Sequence, residues 1–99
     1  MLKVSSTSDP TATAGAIANG IRETGGVELQ VIGPRAVNQA VKSIAIARGY
    51  LAASGVDLYF VPSFATVRVG ETGKEKTAIR FLVRPRHGLR VKPADVGRF

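Results

Sequence analysis

The feature that most constrains the fold of this chain is a change of period across residues 27–51, marked by the dipeptide Gly33-Pro34. Before the turn, Val27, Leu29 and Val31 alternate with Glu28 and Gln30, so a strand there has one apolar face and ends at Ile32. After it, Val37, Ala40, Val41, Ile44, Ala47 and Leu51 fall on one helical stripe over about residues 36–51, a length of about 24 Å. A strand and a helix that are each apolar on one side bury those sides against each other, which points to helices layered on a sheet. The outer face of the helix reads Asn38, Gln39, Lys42 and Ser43, with Ile46 and Tyr50 beside them. These two apolar residues fit contact with a second subunit; scattered surface hydrophobics are the ordinary alternative.

The same alternation of periods occurs upstream. Leu2 and Val4 alternate with Lys3 and Ser5, the loop Ser5, Ser6, Thr7, Ser8 follows, and Asp9-Pro10 is a helix start in which Asp caps and Pro is preset for the first turn. Ala14, Ile17, Ala18 and Ile21 continue at helical spacing until Gly25 and Gly26 stop the helix after Thr24. Downstream, VDLYFVPSFATVRV and TAIRFLVRP are rich in β-branched and aromatic residues and flank a turn from Gly70 to Lys76, which predicts a hairpin. Pro62 lacks an amide donor and predicts an edge or a bulge, with the third strand bent there. In the fourth strand Ile79, Phe81 and Val83 point one way, and Arg80, Leu82 and Arg84 the other.

The predicted order is β-α-β-α-β-β, an α/β chain of the α+β two-layer sandwich kind. Right-handed crossovers put both helices on one face of a four-stranded mixed sheet. At 99 residues, 44% of them hydrophobic and none Trp, the chain makes one domain over residues 1–86 with an aliphatic core. Residues 87–99, HGLRVKPADVGRF, show neither period and read as a basic, flexible C-terminal tail. The absence of cysteine excludes disulfides and thiolate sites and fits a cytoplasmic protein. No apolar run approaches the roughly 20 residues a membrane helix needs.

Net charge is +7, and the cations crowd the C-terminal third, where Arg68, Lys74, Lys76, Arg80, Arg84 and Arg86 outnumber Glu71 and Glu75. Such a balance favours polyanions, nucleic acid first. Catalytic means are sparse: the single histidine is His87, no carboxylate pair has the spacing of a dyad or metal site, and Gly33-Pro34-Arg35 lacks the spacing of a nucleotide loop. The expectation is a non-enzymatic protein without metal, cofactor or small-molecule substrate.

Arg35 is the most telling cation. Amides at a helix N-terminus leave partial positive charge there, so a cation in the first turn is repelled unless an anion joins it. A phosphate bound beside Arg35 answers this, as does a side chain turned to solvent or to a carboxylate elsewhere. The loop containing Ser6 and the turn containing Arg35 each precede a helix, so two helix N-termini offer amides to phosphate. Arg35, Asn38 and Lys42 then form the nucleic-acid-binding set of helix two, and Arg68, Lys74, Lys76 and Arg80 a cationic arm on the hairpin. Charges on a hairpin also protect an edge from aggregation, and are then merely solvated. In a rival reading the fold is a protein-interaction or scaffold module, with Ile46, Tyr50 and Phe64 as its oligomer interface.

The stretch IGPRAVNQAVKSIAIARGYLAASGVDLYFVPSF, preceded by LKVSSTSDPTATAGAIANGIRE and followed by KTAIRFLVRPR, resembles the stage V sporulation protein S family over nearly all of residues 1–86. More remotely, Arg35-Ala36-Val37 followed by Ala40-Val41, Ile46 and Arg48 is similar to the second helix of the Alba chromatin and RNA-binding proteins. The first resemblance implies a regulatory role in sporulation. The second implies an Alba-like fold, a homodimer or higher homo-oligomer, and DNA or RNA bound by the first β-α loop, the turn before helix two and the hairpin. Arg35 falls on the arginine of that turn. Where Alba proteins carry lysines in the first loop, this chain has Ser5, Ser6, Thr7 and Ser8.

Overall fold

A computed structural model describes the backbone of residues 1–90 and the side chains of residues 1–86. The elements are β1 (Leu2–Val4), α1 (Pro10–Thr24), β2 (Val27–Val31), α2 (Pro34–Ala52), β3 (Val56–Val69) and β4 (Lys74–Arg90). The strands form one sheet in the order β1-β2-β4-β3, with β1 parallel to β2, and β4 antiparallel to both β2 and β3. This is the predicted mixed four-stranded sheet with two helices.

Local chemistry sets the helix ends. At α1, the Thr11 amide donates to Asp9 Oδ1 at 3.3 Å and Pro10 opens the first turn. At the far end Gly25 takes φ 79° and its amide donates to the Ile21 carbonyl, a conformation that favours glycine. Pairing then aligns the apolar sets. Leu2, Leu29, Phe81 and Pro62 form one cross-strand row, and Val4, Val31, Ile79 and Phe64 the next. Leu29, Val31, Phe81 and Val83 join Ile17 and Ile21 of α1 and Ala40, Ile44 and Leu51 of α2 in one buried cluster. Phe60 meets Phe81 edge to face, with centroids 5.0 Å apart.

Three sequence expectations need correction. Ser43 is not on an outer face: it is fully buried, its hydroxyl donating to the Gln39 carbonyl at 2.7 Å, and Gln39 and Ile46 are half-buried beside it. The helices pack on each other as well as on the sheet, so α2 has a second buried flank, while Val41 is 41% exposed. Next, β3 is indeed the edge strand, but its register runs unbroken through Pro62 and shifts instead between Val56 and Leu58. Finally, β4 runs past its expected end at Pro85 to Arg90, which pairs with Val56, so the backbone of residues 87–90, expected in the tail, is strand. The rest of that tail, residues 91–99, lies outside the described residues.

Two glycines of α1 make a matched test of packing. A Cβ on Gly20 would lie 2.4 Å from Val27 Cγ2, whereas one on Gly15 meets nothing within 4 Å. Gly15→Ala is expected to raise unfolding stability by about 0.5–1 kcal/mol through helix propensity. Gly20→Ala is expected to lower it by about 1–3 kcal/mol, because stiff Val27 must move. Urea unfolding of both variants checks the opposite signs.

Candidate nucleic-acid interface

The C-terminal ends of β1 and β2 open into a groove of about 600 Å³, to which the loop after β1, the turn before α2 and the hairpin all contribute. Ser6, Arg35 and Arg68, three of the sequence-predicted site residues, line it together with Lys3. Among the described residues, no carboxylate lines it.

The first wall is a loop stitched by its own hydroxyls. The Ser5 amide donates to Ser8 Oγ at 2.9 Å, the Ser8 amide to the Ser5 carbonyl at 3.2 Å, and the Thr7 amide to Ser5 Oγ at 3.3 Å. Gln39 of α2 donates to the Ser8 carbonyl at 2.9 Å and so fixes the loop against the second helix. Ser6 remains exposed at the groove. The sequence of small hydroxyl residues thus produces a fixed wall rather than a loose loop.

The second wall is the start of α2. Gly33 takes φ 89° and no side chain caps the helix. The Val37 amide donates to the Gly33 carbonyl at 3.1 Å, which leaves the Arg35 and Ala36 amides as first-turn donors. There is no acidic residue in that turn, so the partial positive charge of the helix end adds to the Arg35 guanidinium. Here the expectation of two helix N-termini facing phosphate is corrected. The α1 terminus already holds the Asp9 carboxylate, and only the α2 terminus is uncapped by a side chain.

The third wall comes from the hairpin, and the structure divides its cations. Arg68 pairs across the strands with Glu75, 3.5 Å away, both well exposed and therefore weakly coupled. Lys74, Lys76 and Arg80 instead pair with Val69, Val67 and Ser63, on the opposite face of the ribbon. Arg80 lies 3.9 Å from Glu28. Asn38 and Lys42 are exposed on α2 at spacings of three and seven residues from Arg35, and continue its face away from the groove. Lys3 is not among the sequence-predicted site residues; in the sequence it is the polar member of β1, and its alternation with buried Val4 is the signal that turns it outward.

The three residues expected at an oligomer interface do not form one patch. Ile46 packs against the core. Tyr50 is 43% exposed near the C-terminal end of α2, while Phe64 is 83% exposed and borders a separate hollow of about 420 Å³ with Pro34, Val37 and Ile79.

At the other end of α2 sits a charged cluster that sequence reading passed over. Asp57 occupies the register shift of β3 and its side chain is 2% exposed. It is paired with Arg48 of α2 and lies 3.3 Å from Arg86 of β4, and its Oδ1 accepts from the Leu58 amide at 2.9 Å. Burial pushes the Asp57 carboxyl up, but the Arg48 hydrogen bond, the Leu58 amide and the two guanidinium charges outweigh it and hold the group below its ordinary value of 3.8. This cluster ties α2 to the hairpin.

Among the described residues, no helix is long and apolar enough to cross a membrane. The topology and the cation-lined groove define a small basic α+β domain built from a β-α-β hairpin-bearing sheet and two helices. Within that class, a family model for stage V sporulation protein S (SpoVS) matches residues 1–86, and the chain belongs to that family. The match takes in every element up to Arg86 of β4. Membership carries a sporulation-related role.

Proposed function

We propose that this protein is a non-enzymatic regulator that binds DNA or RNA through phosphate contacts, acting as a cytoplasmic homodimer in sporulation or related developmental control. The carrying observation is the convergence of Lys3, Arg35, Arg68 and the uncapped start of α2 on one groove that no carboxylate lines among the described residues. Arg35 and the α2 amides hold one phosphate, and Lys3 supplies, two residues before the loop, the cation that the serines lack. Asn38 and Lys42 guide the flanking backbone along α2. The contacts go to phosphates rather than base edges, so they set position and affinity rather than sequence preference. The order of elements and the place of Arg35 fit the Alba-like mode of binding.

If a dimer neutralises about five phosphates, log affinity is expected to fall with log salt at a slope near −4.5. Titrating labelled single-stranded and duplex DNA and RNA across salt concentrations measures it. A flat response, or no binding to any of the four at low salt, would remove the phosphate mechanism. The exposed Phe64 beside its hollow favours the second reading, a protein-interaction module, and that result would turn the search to it.

A further inference from the structure

The groove accounts for Arg35 and Arg68 and reaches the sheet face opposite the helices at Lys3, Val67 and Val69, but it leaves the rest of that face unexplained. On that face Tyr59, Val61, Val67 and Val69 of β3 lie in register with Arg84, Leu82, Lys76 and Lys74 of β4, Ser63 with Arg80, and Ala65 with a buried Ala78 that breaks the cationic side between Arg80 and Lys76. The β3 side is largely apolar and the β4 side largely cationic. Tyr59, Val61 and Leu82 are 38%, 51% and 37% exposed, with no helix layer over them. The carboxylate on this face, Glu28, stands opposite Leu82 and pairs with Arg80. Alternate residues of a strand are about 6.8 Å apart, so the two sides run side by side for about 34 Å from Tyr59 to Val69.

Such a surface asks for an extended ligand with repeated negative charge along one edge and flat apolar groups along the other. A duplex presents phosphates but hides its bases, and leaves the apolar side uncovered. A single strand presents both. We propose that this open face is a track for single-stranded nucleic acid, with a base stacked on Tyr59, neighbouring bases over Val61 and Leu82, and phosphates held by Arg84, Arg80, Lys76 and Lys74. The inference rests on the reading that the chain binds nucleic acid, and adds strandedness and a second surface to it.

The test uses the whole chain. Tyr50 and Tyr59 are its tyrosines and there is no Trp, so Tyr50→Phe leaves Tyr59 as the sole intrinsic fluorophore of that kind. Single-stranded RNA and DNA and the matching duplex are titrated into this variant at low salt. In parallel, Tyr59→Ala and Tyr59→Phe in the otherwise unchanged chain are assayed for affinity, thermal unfolding and sedimentation. Quenching of Tyr59 by either single strand supports the track. So does a loss of about tenfold or more in single-strand affinity in Tyr59→Ala, with duplex affinity unchanged and near-normal binding in Tyr59→Phe. Single-strand binding without quenching, or equal loss for duplex and single strand in a folded Tyr59→Ala, overturns the track and leaves the Arg35 groove standing. A change of oligomeric state in Tyr59→Ala overturns it in favour of a second copy on this face. Absence of binding by every nucleic acid overturns both surfaces together.

Discussion

Asp57→Ala is expected to lower the unfolding free energy at neutral pH by about 3 kcal/mol, and Asp57→Asn by about 2 kcal/mol, with the urea m-value unchanged. Removing one partner of a buried ion pair commonly costs about 3–5 kcal/mol. The lower figure applies because Arg48 and Arg86 keep 38% and 48% side-chain exposure, so water takes up part of their released charge. Asparagine still accepts from the Leu58 amide, whereas alanine leaves that donor unpaired as well. For a chain of this size the asparagine change corresponds to a fall in melting temperature of about 10 °C.

The same cluster sets an acid dependence. The folded carboxyl of Asp57 lies below its ordinary value of 3.8, so the folded chain binds this proton less readily than the unfolded one. Its contribution is full above the unfolded value and is lost as pH falls through the folded value. The stability gap between wild type and Asp57→Asn should be largest near neutrality and close as the pH drops below 3.8. Urea midpoints at neutral and strongly acid pH measure this. A gap that stayed constant would mean that Asp57 acts by shape and hydrogen bonding rather than charge. Phosphate binding at the Arg35 groove should be unaffected in the folded variants, because the cluster and the groove sit at opposite ends of α2.

Arg35→Glu is expected to weaken nucleic-acid binding by about 10–100-fold at low salt, the loss of a charge-assisted contact plus repulsion of phosphate by the new carboxylate. The salt slope should become shallower by about 0.9 for each phosphate no longer neutralised. The design separates binding from folding. A carboxylate in the uncapped first turn of α2 meets the positive end of the helix and should stabilise it by about 0.3–1 kcal/mol. Anisotropy titrations paired with thermal unfolding therefore should show weaker binding in a protein at least as stable as wild type. Full affinity in the variant would remove the groove as the phosphate site, whatever the remaining cations do.

The extent to which the sequence disclosed this molecule differs from element to element. β2 and the start of α2 were plain because their periods of 2.0 and 3.6 are local, and Gly33-Pro34 separates them within a few residues. Arg35 stood out for the same reason, since the helix end that opposes it is formed by its immediate neighbours. Lys74 and Lys76 read as turn residues in the sequence yet belong to β4, because a charged run carries little strand propensity and cross-strand pairing with Val69 and Val67 supplies the order. In the sequence Asp57 is an isolated acid at the start of β3. What buries it is the register shift between Val56 and Leu58, which turns it inward beside Leu58, and no periodicity forecasts a shift.

The sequence by itself determined the succession of elements, the apolar face of each, the excess of positive charge and the anion-seeking start of α2. All of these depend on residues a few positions apart, and backbone sterics with water exclusion act over that range whatever the rest of the chain does. Tertiary structure alone decided that Lys3, Ser6, Arg35 and Arg68 share one groove, and that Lys74, Lys76 and Arg80 lie on the face of the hairpin opposite Arg68. It alone buried Ser43 and set Asp57 between Arg48 and Arg86. Those outcomes require the register of β3 on β4 and the packing of α1 on α2. Such distant contacts are chosen by the joint burial of the whole core, so no single stretch of the chain encodes them.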